Sequence, residues 1–216
     1  YPNSRKRKIA YRACERGTMK IPLKDVLLYM GVKGEADPDT LRLALKAADK
    51  AEKIIAPKQS VRIFEVTKTE EGFCAGGVLF TGKCAEKLFE NCSRAALMTV
   101  TAGHDLDKEI SRLSVSDMAD AFALDAAGVA AVECVADEAE ETVRLNTAIG
   151  EKLTMRFSPG YGDMPLSLSR AIASATDAQR RTGVTVTEGD MLVPSKSVTA
   201  VIGIVDAGKS NTYARK

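Results

Sequence analysis

The residues whose types and spacing are best suited to binding a ligand lie in a turn-rich segment that begins at Arg156. The guanidinium of Arg156 offers paired donors that match the two oxygens of a carboxylate, and Tyr161 adds an aromatic hydroxyl five residues later. Pro159 presets its own φ, while Gly160 and Gly162 permit backbone geometries closed to other residues. Main-chain groups could therefore approach a small ligand closely. The segment predicts a small-molecule clamp, and the alternative from the same residues is a solvated turn.

Two further blocks downstream of Arg156 make the pattern specific. The three blocks, in chain order, are the RxxxGY motif at 156–161, GVTVTE at 183–188 and MLVPSKSV at 191–198. Together they resemble the activation domain of cobalamin-dependent methionine synthase. Weaker similarity appears upstream at 26–31, 101–107 and 124–128, so the resemblance covers nearly the whole chain.

The resemblance implies roles for individual residues. In that family the Arg and Tyr of the motif help to hold S-adenosylmethionine, which assigns this role to Arg156 and Tyr161, with main chain around Pro159, Gly160 and Gly162 holding the rest. We expect no catalytic side chain, because the cofactors carry the reactivity.

A sulfonium ligand also needs a carboxylate nearby. Glu133 is the first candidate, because a Glu within an apolar stretch of helix must find a partner or a ligand to offset its desolvation. The alternative for Glu133 is a salt bridge at the edge of the core. Glu188, in the family-like Thr187–Glu188 pair, is the second candidate.

The resemblance also implies a function. We expect a stand-alone protein that binds S-adenosylmethionine and supports reductive methylation of cob(II)alamin on a separate corrinoid protein, or on a methionine synthase lacking this domain. This chain would contact cobalamin only on that partner protein. A flavodoxin-like protein could supply the electron for the reduction of cob(II)alamin. The alternative is a non-catalytic adaptor or sensor that binds S-adenosylmethionine and docks on a corrinoid protein. An aromatic residue that the family carries after the strand containing Ser197 is missing, which predicts a lost stacking partner for adenine.

Several other motifs do not predict chemistry. His104 is the only histidine, which excludes multi-histidine metal sites, and it lacks the Asp-x-His-x-x-Gly context of a corrinoid ligand. We therefore expect no bound metal, and His104, Asp105 and Asp107 should lie at the start of a helix, with the carboxylates capping it. The segment 203–210 matches a P-loop letter for letter, yet no helix is predicted after Ser210. Its end, Gly208-Lys209-Ser210, should be a frayed or surface segment with no phosphate role.

The composition favours a single cytoplasmic domain. The 216 residues are 45% hydrophobic, enough for a substantial core, and we expect residues 1–216 to form one domain. Thirty-one basic residues against 29 acidic ones give a net charge of +2, which does not indicate nucleic acid or a membrane as partner. The basic cluster at 5–8 is expected to be an exposed segment that leads into a strand. Five cysteines without a CxxC pair favour a reducing compartment, and no signal peptide or membrane span is indicated.

Hydrophobic periodicity predicts the elements that position the clamp. Helices are expected at 21–30, from Asp37 as N-cap to about Pro57, at 116–148, and as one or two helices over 166–181. In the 116–148 helix we expect Met118 and Phe122 on the apolar side. Strands are expected at 7–13, 61–66, 77–80, 95–101, 184–187 and 198–205. The irregular order of helices and strands predicts an α+β fold with a largely antiparallel, twisted sheet and flanking helices.

Overall fold

A computed structural model of the protein describes residues 12–13 and 19–215. Within these residues, seven strands form one antiparallel sheet in the order β4-β3-β2-β5-β9-β6, with β1 paired to the start of β2. The strands are β1 (Arg12–Ala13), β2 (Lys58–Lys68), β3 (Phe73–Ala75), β4 (Val78–Phe80), β5 (Cys92–Thr101), β6 (Lys152–Leu153) and β9 (Ser197–Val205). A separate hairpin joins β7 (Thr185–Val186) and β8 (Leu192–Val193). The predicted α+β class and antiparallel sheet are confirmed.

Helices cover both faces of the sheet. They are α1 (Leu23–Tyr29), α2 (Pro38–Ile54), α3 (Lys83–Phe89), α4 (His104–Ser116), α5 (Met118–Arg144), α6 (Leu168–Ala175) and α7 (Ala178–Thr182). Alternate residues of β5 enter different cores: Met98 packs with helices α1, α2, α4 and α5, whereas Leu97 packs with α3 and α6. Both central strands, β5 and β9, are therefore buried along most of their length. This explains their nearly continuous apolar sequence.

Most predicted helix limits agree with the structure. Asp37 caps α2 by accepting hydrogen bonds from the backbone N–H groups of Asp39 and Thr40, each at 3.0 Å, and Pro38 occupies the first helical position. The short elements α3, β3, β6 and β8 were not predicted, because they contain too few residues to show a period. The strand predicted at 7–13 lies mostly outside the described residues, and its last two residues form β1.

Helix α5 begins two residues later than predicted, and the predicted apolar side is buried at Ala126, Val132 and Val135 but exposed at its first two members. Its N-cap is Asp117, whose side chain accepts from the N–H of Asp120 at 3.0 Å, while Ser116 is the last residue of α4. Met118 and Phe122, predicted to be buried, are 68% and 53% exposed. This stretch is rich in alanine on every side, so its periodicity does not select the face that tertiary contacts bury.

Close packing along α5 depends on one glycine. A Cβ added to Gly128 would lie 2.6 Å from Cδ2 of Leu106 on α4 and 3.2 Å from the side chain of Lys196. The absence of a side chain at this position lets α4 and the chain leading into β9 approach the helix. Nearby, Lys196 forms an ion pair with Asp125 of α5 at 2.6 Å.

The chain after β9 is exposed at the P-loop-like segment but ordered beyond it. Gly208, Lys209 and Ser210 are exposed, as predicted, and the described residues that follow form turns and a bridge instead of a helix. The side-chain amide of Asn211 donates to the backbone carbonyl of Glu90 at 2.6 Å, and Ala214 forms a β-bridge with Thr154. The residues after Ser210 are therefore anchored to the loop before β5 and to the segment after β6.

None of the helices in the described part of the chain has the length and apolar content needed to cross a membrane. The cysteines described there, at positions 74, 84, 92 and 134, are all free thiols.

Candidate functional site

A cleft of about 550 Å³ opens between α5, the segment after β6, the start of α6 and the chain from β8 into β9. This volume lies in the range typical of sites for small organic ligands. Its lining residues are Glu133, Met155, Arg156, Phe157, Ser158, Pro159, Tyr161, Leu166, Ser169, Asp190, Met191, Leu192, Ser195, Ser197, Val198 and Thr199. Four of the seven predicted site residues, Glu133, Arg156, Pro159 and Tyr161, are therefore brought together.

The clamp segment is held at the sheet on one side and at α3 on the other. Phe157 exchanges backbone hydrogen bonds with Val201 of β9, at 3.0 and 2.9 Å, so the segment continues beside β9 after β6 ends. Farther along, the carboxylate of Asp163 accepts from the N–H groups of Lys83 and Cys84, at 2.6 and 3.0 Å. These two attachments fix the ends of the loop that carries Pro159.

Gly160 and Gly162 shape this loop and do not line the cleft. Gly160 has φ 93° and Gly162 has φ 60°, which are left-handed conformations that other residues rarely adopt. The N–H of Gly160 donates to the carbonyl of Met164 at 2.8 Å and closes the turn. Tyr161, between the two glycines, is 70% exposed at the cleft mouth.

Arg156 is held by carboxylates of α5. Its side chain is only 13% exposed, its Nη2 donates to Oε2 of Glu133 at 2.5 Å, and its Nη1 donates to Oδ1 of Asp137 at 3.0 Å. Oε2 of Glu140 lies 3.9 Å from the same Nη1. The three acids are four and three residues apart and so project from one side of the helix. Glu133 thus lines the cleft and is also salt-bridged, which combines the two alternatives that the sequence left open.

Glu140 is a buried carboxylate that the sequence analysis did not identify. Its side chain is 4% exposed, and its Oε1 accepts a hydrogen bond from Arg144 at 3.2 Å and forms an ion pair with Arg215 at 2.8 Å. Its Oε2 has no hydrogen-bond partner. Burial raises the pKa of Glu140, and the positive charges of Arg215, Arg156 and Arg144 oppose that rise.

Asp190, and not Glu188, supplies the acidic side chain of the opposite wall. Both residues lie in the turn between β7 and β8, but Glu188 is exposed and does not line the cleft. Asp190 has φ 61° and accepts a hydrogen bond from Arg170 at 3.1 Å, and Arg170 also donates to the carbonyl of Thr187 at 2.6 Å. The backbone turn at Asp190 directs this carboxylate toward the cleft, a detail that residue type alone did not indicate.

A second loop, before β9, is fixed by Asp107 of α4. The carboxylate of Asp107 accepts from the N–H and the hydroxyl of Ser195, at 2.6 and 2.7 Å. The prediction that Asp107 caps its own helix is therefore wrong, since its carboxylate binds Ser195 and no N–H group among the described residues of α4 donates to it. The N-cap position of α4 is Gly103, and the predicted placement of His104 at the helix start is confirmed.

Hydroxyl groups and aromatic rings complete the cleft. Ser197 donates to Thr101 at 2.8 Å, and Thr199 donates to Ser169 at 3.1 Å, so hydroxyls lie along the floor formed by β9. The Phe157 ring lies on the wall, 6.3 Å from the ring of Tyr213. The alternation of Ser197 and Thr199 along one strand was the sequence signal for this floor. Among the described residues no group of three or more His, Cys, Asp or Glu side chains could hold a metal ion.

Comparison with known proteins shows the fold. A solved structure described as the MetH reactivation domain bound to AdoHcy superposes with a TM-score of 0.65, at 15% sequence identity, over 97% of this chain and 82% of that one. No protein-family model matches the chain. No curated protein matches it either. The chain therefore has the fold of the reactivation domain, established by structure and not by sequence.

Proposed function

We propose that this protein binds S-adenosylmethionine in the cleft and presents its methyl group to a corrinoid carried by a partner protein. The observation that carries the proposal is the pairing, within one cleft, of a nearly buried guanidinium with carboxylates that could meet a cation. The ligand has the same pair of charges, a carboxylate and, close to it, an ammonium and a sulfonium. The solved structure with the same fold is described as bound to AdoHcy, which is S-adenosylhomocysteine.

The charged residues of the cleft fit the amino-acid end of the ligand. Arg156 would bind the ligand carboxylate through its paired donors. Glu133, which lies 2.5 Å from Arg156, would then face the ammonium or the sulfonium. A ligand bearing both charges can replace part of this internal ion pair without leaving either partner unpaired, which keeps the cost of desolvation low.

The uncharged walls fit the adenosine. Hydroxyls of Ser197 and Thr199 lie on the floor, and the rings of Phe157 and Tyr161 line the cleft near them. Residues 206–208, directly after β9, include no aromatic residue, but these two rings offer aromatic surface from the clamp segment itself. Offset stacking of adenine on such a ring contributes about 0.5–1.5 kcal/mol beyond the area buried.

The chemistry requires positioning more than acid–base groups. When bound, S-adenosylmethionine supplies an electrophilic methyl group, and the corrinoid of the partner, reduced by one electron from an external donor, supplies the nucleophile. The residues of this chain would orient the ligand and hold its charges. The partner would be a corrinoid protein or a methionine synthase lacking this domain, and the electron donor a flavodoxin-like protein.

Calorimetry with purified protein tests the ligand. We expect saturable binding of both S-adenosylmethionine and S-adenosylhomocysteine to the wild-type protein. ATP, which shares the adenosine but carries phosphates instead of the amino acid, should not bind. If neither S-adenosylmethionine nor S-adenosylhomocysteine binds, the proposed function is refuted.

A spectroscopic experiment separates methyl presentation from mere binding. A corrinoid partner in the cob(II)alamin state is mixed with reductant, S-adenosylmethionine and this protein, and the corrinoid spectrum is followed. If the protein presents the methyl group, methylcobalamin accumulates faster than in the mixture lacking the protein. If the protein is the adaptor or sensor, ligand binding persists while the spectrum stays at the rate of that control.

A further inference from the structure

We infer that Glu140 is a positioning residue, which holds Arg156 in place when a ligand carboxylate displaces its other partners. The inference rests on the proposed function, because it concerns how the same cleft receives an amino-acid ligand. It assigns a role to a buried carboxylate that neither the clamp motif nor the cleft lining includes.

The first step is that Arg156 is already occupied. Its two terminal nitrogens donate to Glu133 at 2.5 Å and to Asp137 at 3.0 Å. A ligand carboxylate can form paired hydrogen bonds with this guanidinium only by displacing at least one of these acids. Asp137 is the easier one to displace, since its side chain is 72% exposed and water can solvate the released carboxylate.

The second step is that displacement would leave Arg156 without a fixed anchor on α5. Glu133 would turn toward the ammonium or sulfonium, and Asp137 would face water. A guanidinium on a flexible side chain then loses conformational freedom when it binds the ligand, which lowers affinity. A preorganised guanidinium avoids that loss.

The third step is that Glu140 has the free oxygen needed to anchor it. Arg144 donates to Oε1 at 3.2 Å and Arg215 forms an ion pair with the same oxygen at 2.8 Å, which leaves Oε2 without a hydrogen-bond partner. Oε2 lies 3.9 Å from Nη1 of Arg156. A shift of the guanidinium by about 1 Å toward the helix would bring these atoms to hydrogen-bond distance. Because Glu140 does not line the cleft, the ligand cannot compete for it directly.

The contacts of Glu140 also link the end of the described chain to the cleft. Arg215 is placed by its own backbone, whose N–H donates to the carbonyl of Leu153 at 2.9 Å. The charged groups facing Glu140 are Arg215 from this segment, Arg156 from the clamp, and Arg144 and Asp137 from α5. Three cations thus surround the carboxylate and favour its ionised form, which is the form able to hold Arg156.

The test compares two ligands on the Glu140→Gln protein. Gln keeps the size of the side chain and removes its charge. S-adenosylhomocysteine carries the amino-acid carboxylate, whereas 5′-methylthioadenosine has the same adenosine thioether without it. We expect Glu140→Gln to bind S-adenosylhomocysteine about 10-fold more weakly, the lower end of the scale for one charge-assisted hydrogen bond, and 5′-methylthioadenosine within about twofold of wild type. A general loosening of the cleft would weaken both ligands and would overturn the inference.

The pH dependence gives an independent readout. As pH falls through the pKa of Glu140, the wild-type carboxylate becomes neutral and resembles Gln. The ratio of wild-type to Glu140→Gln affinity for S-adenosylhomocysteine should therefore fall toward one. Glu133 and Asp137 are present in both proteins, so the ratio reports mainly on the group at position 140. An affinity ratio that does not change as the pH falls contradicts the assigned role of Glu140.

A substitution at the exposed residue Asp137 serves as the second test, and it does not depend on whether Glu140→Gln folds. If Asp137 is displaced on binding, Asp137→Asn removes a competitor, and its affinity for S-adenosylhomocysteine should equal or exceed that of wild type by up to about fivefold. Weaker binding by Asp137→Asn overturns the exchange of partners. Failure of wild type to bind S-adenosylhomocysteine refutes the proposed function, whereas wild-type binding with equal affinity in Glu140→Gln refutes only the role of Glu140.

Discussion

Replacing Arg156 by alanine is expected to weaken binding of S-adenosylhomocysteine by about 1.5–3 kcal/mol, roughly 10- to 150-fold. The lost interaction is a paired, charge-assisted hydrogen bond in a site where the arginine side chain is only 13% exposed. Two further effects act in opposite directions. In the mutant protein the ligand no longer has to displace Asp137 from the guanidinium, which favours binding. Glu133, however, is left without its cationic partner and repels the ligand carboxylate.

The same substitution should cost only modest stability. The pairs with Glu133 and Asp137 involve side chains that are 39% and 72% exposed, and such pairs contribute up to about 1 kcal/mol each. Removing one partner of a fully buried pair costs about 3–5 kcal/mol, but Glu140 keeps Arg144 and Arg215. We therefore expect the free energy of unfolding to fall by about 1–2 kcal/mol.

Calorimetry and chemical denaturation measure the two quantities on the same samples. Arg112→Ala is the matched control, because Arg112 forms an exposed ion pair on α4 with Glu109 and does not line the cleft. It should leave ligand affinity unchanged. Equal affinity in wild type and a folded Arg156→Ala protein would refute the assignment of Arg156 as the carboxylate ligand.

Two further substitutions test the loop geometry and the P-loop-like segment. A Cβ at Gly162 would lie 2.6 Å from Sγ of Cys84 in a left-handed backbone, so Gly162→Ala should cost about 1–2 kcal/mol of stability and weaken ligand binding. Gly31→Ala, at φ 80° with nothing within 4 Å, should lose about 1 kcal/mol and bind normally; equal ligand affinity in the two mutants would contradict the role of the loop. Lys209→Ala should change stability and ligand affinity by less than about 0.5 kcal/mol, because Lys209 is exposed; saturable ATP binding by wild type that this mutant loses would show a phosphate site.

Local signals in the sequence were sufficient for the long elements and for the clamp. The boundaries of α2 follow from Asp37 and Pro38 at its start, because capping and proline geometry act within a few residues. The clamp could be predicted for the same reason. Arginine, proline and two glycines within seven residues limit the backbone locally, and the structure places Arg156 and Pro159 in the cleft.

Other parts of the site depended on contacts between distant residues. Nothing within reach of Asp107 in the sequence indicates that it binds Ser195, and its position at a helix start favoured the wrong role of cap. Glu188 and Asp190 are both acidic residues of one turn, and only the left-handed backbone at Asp190 with its bond from Arg170 distinguishes them.

By itself the sequence determined where the long helices and strands form, that a constrained loop follows Arg156, and that Arg156 and Glu133 are candidate ligand-binding residues. Those properties arise from local propensity, from the period of apolar residues and from residue chemistry. Tertiary structure alone decided that α5 exposes Met118 and Phe122 and which charges meet. Arg156 and Arg215 reach Glu140 only because β6, β9 and the segment ending at Arg215 pair beside α5, and electrostatic interactions depend on distance in space, not on separation along the chain.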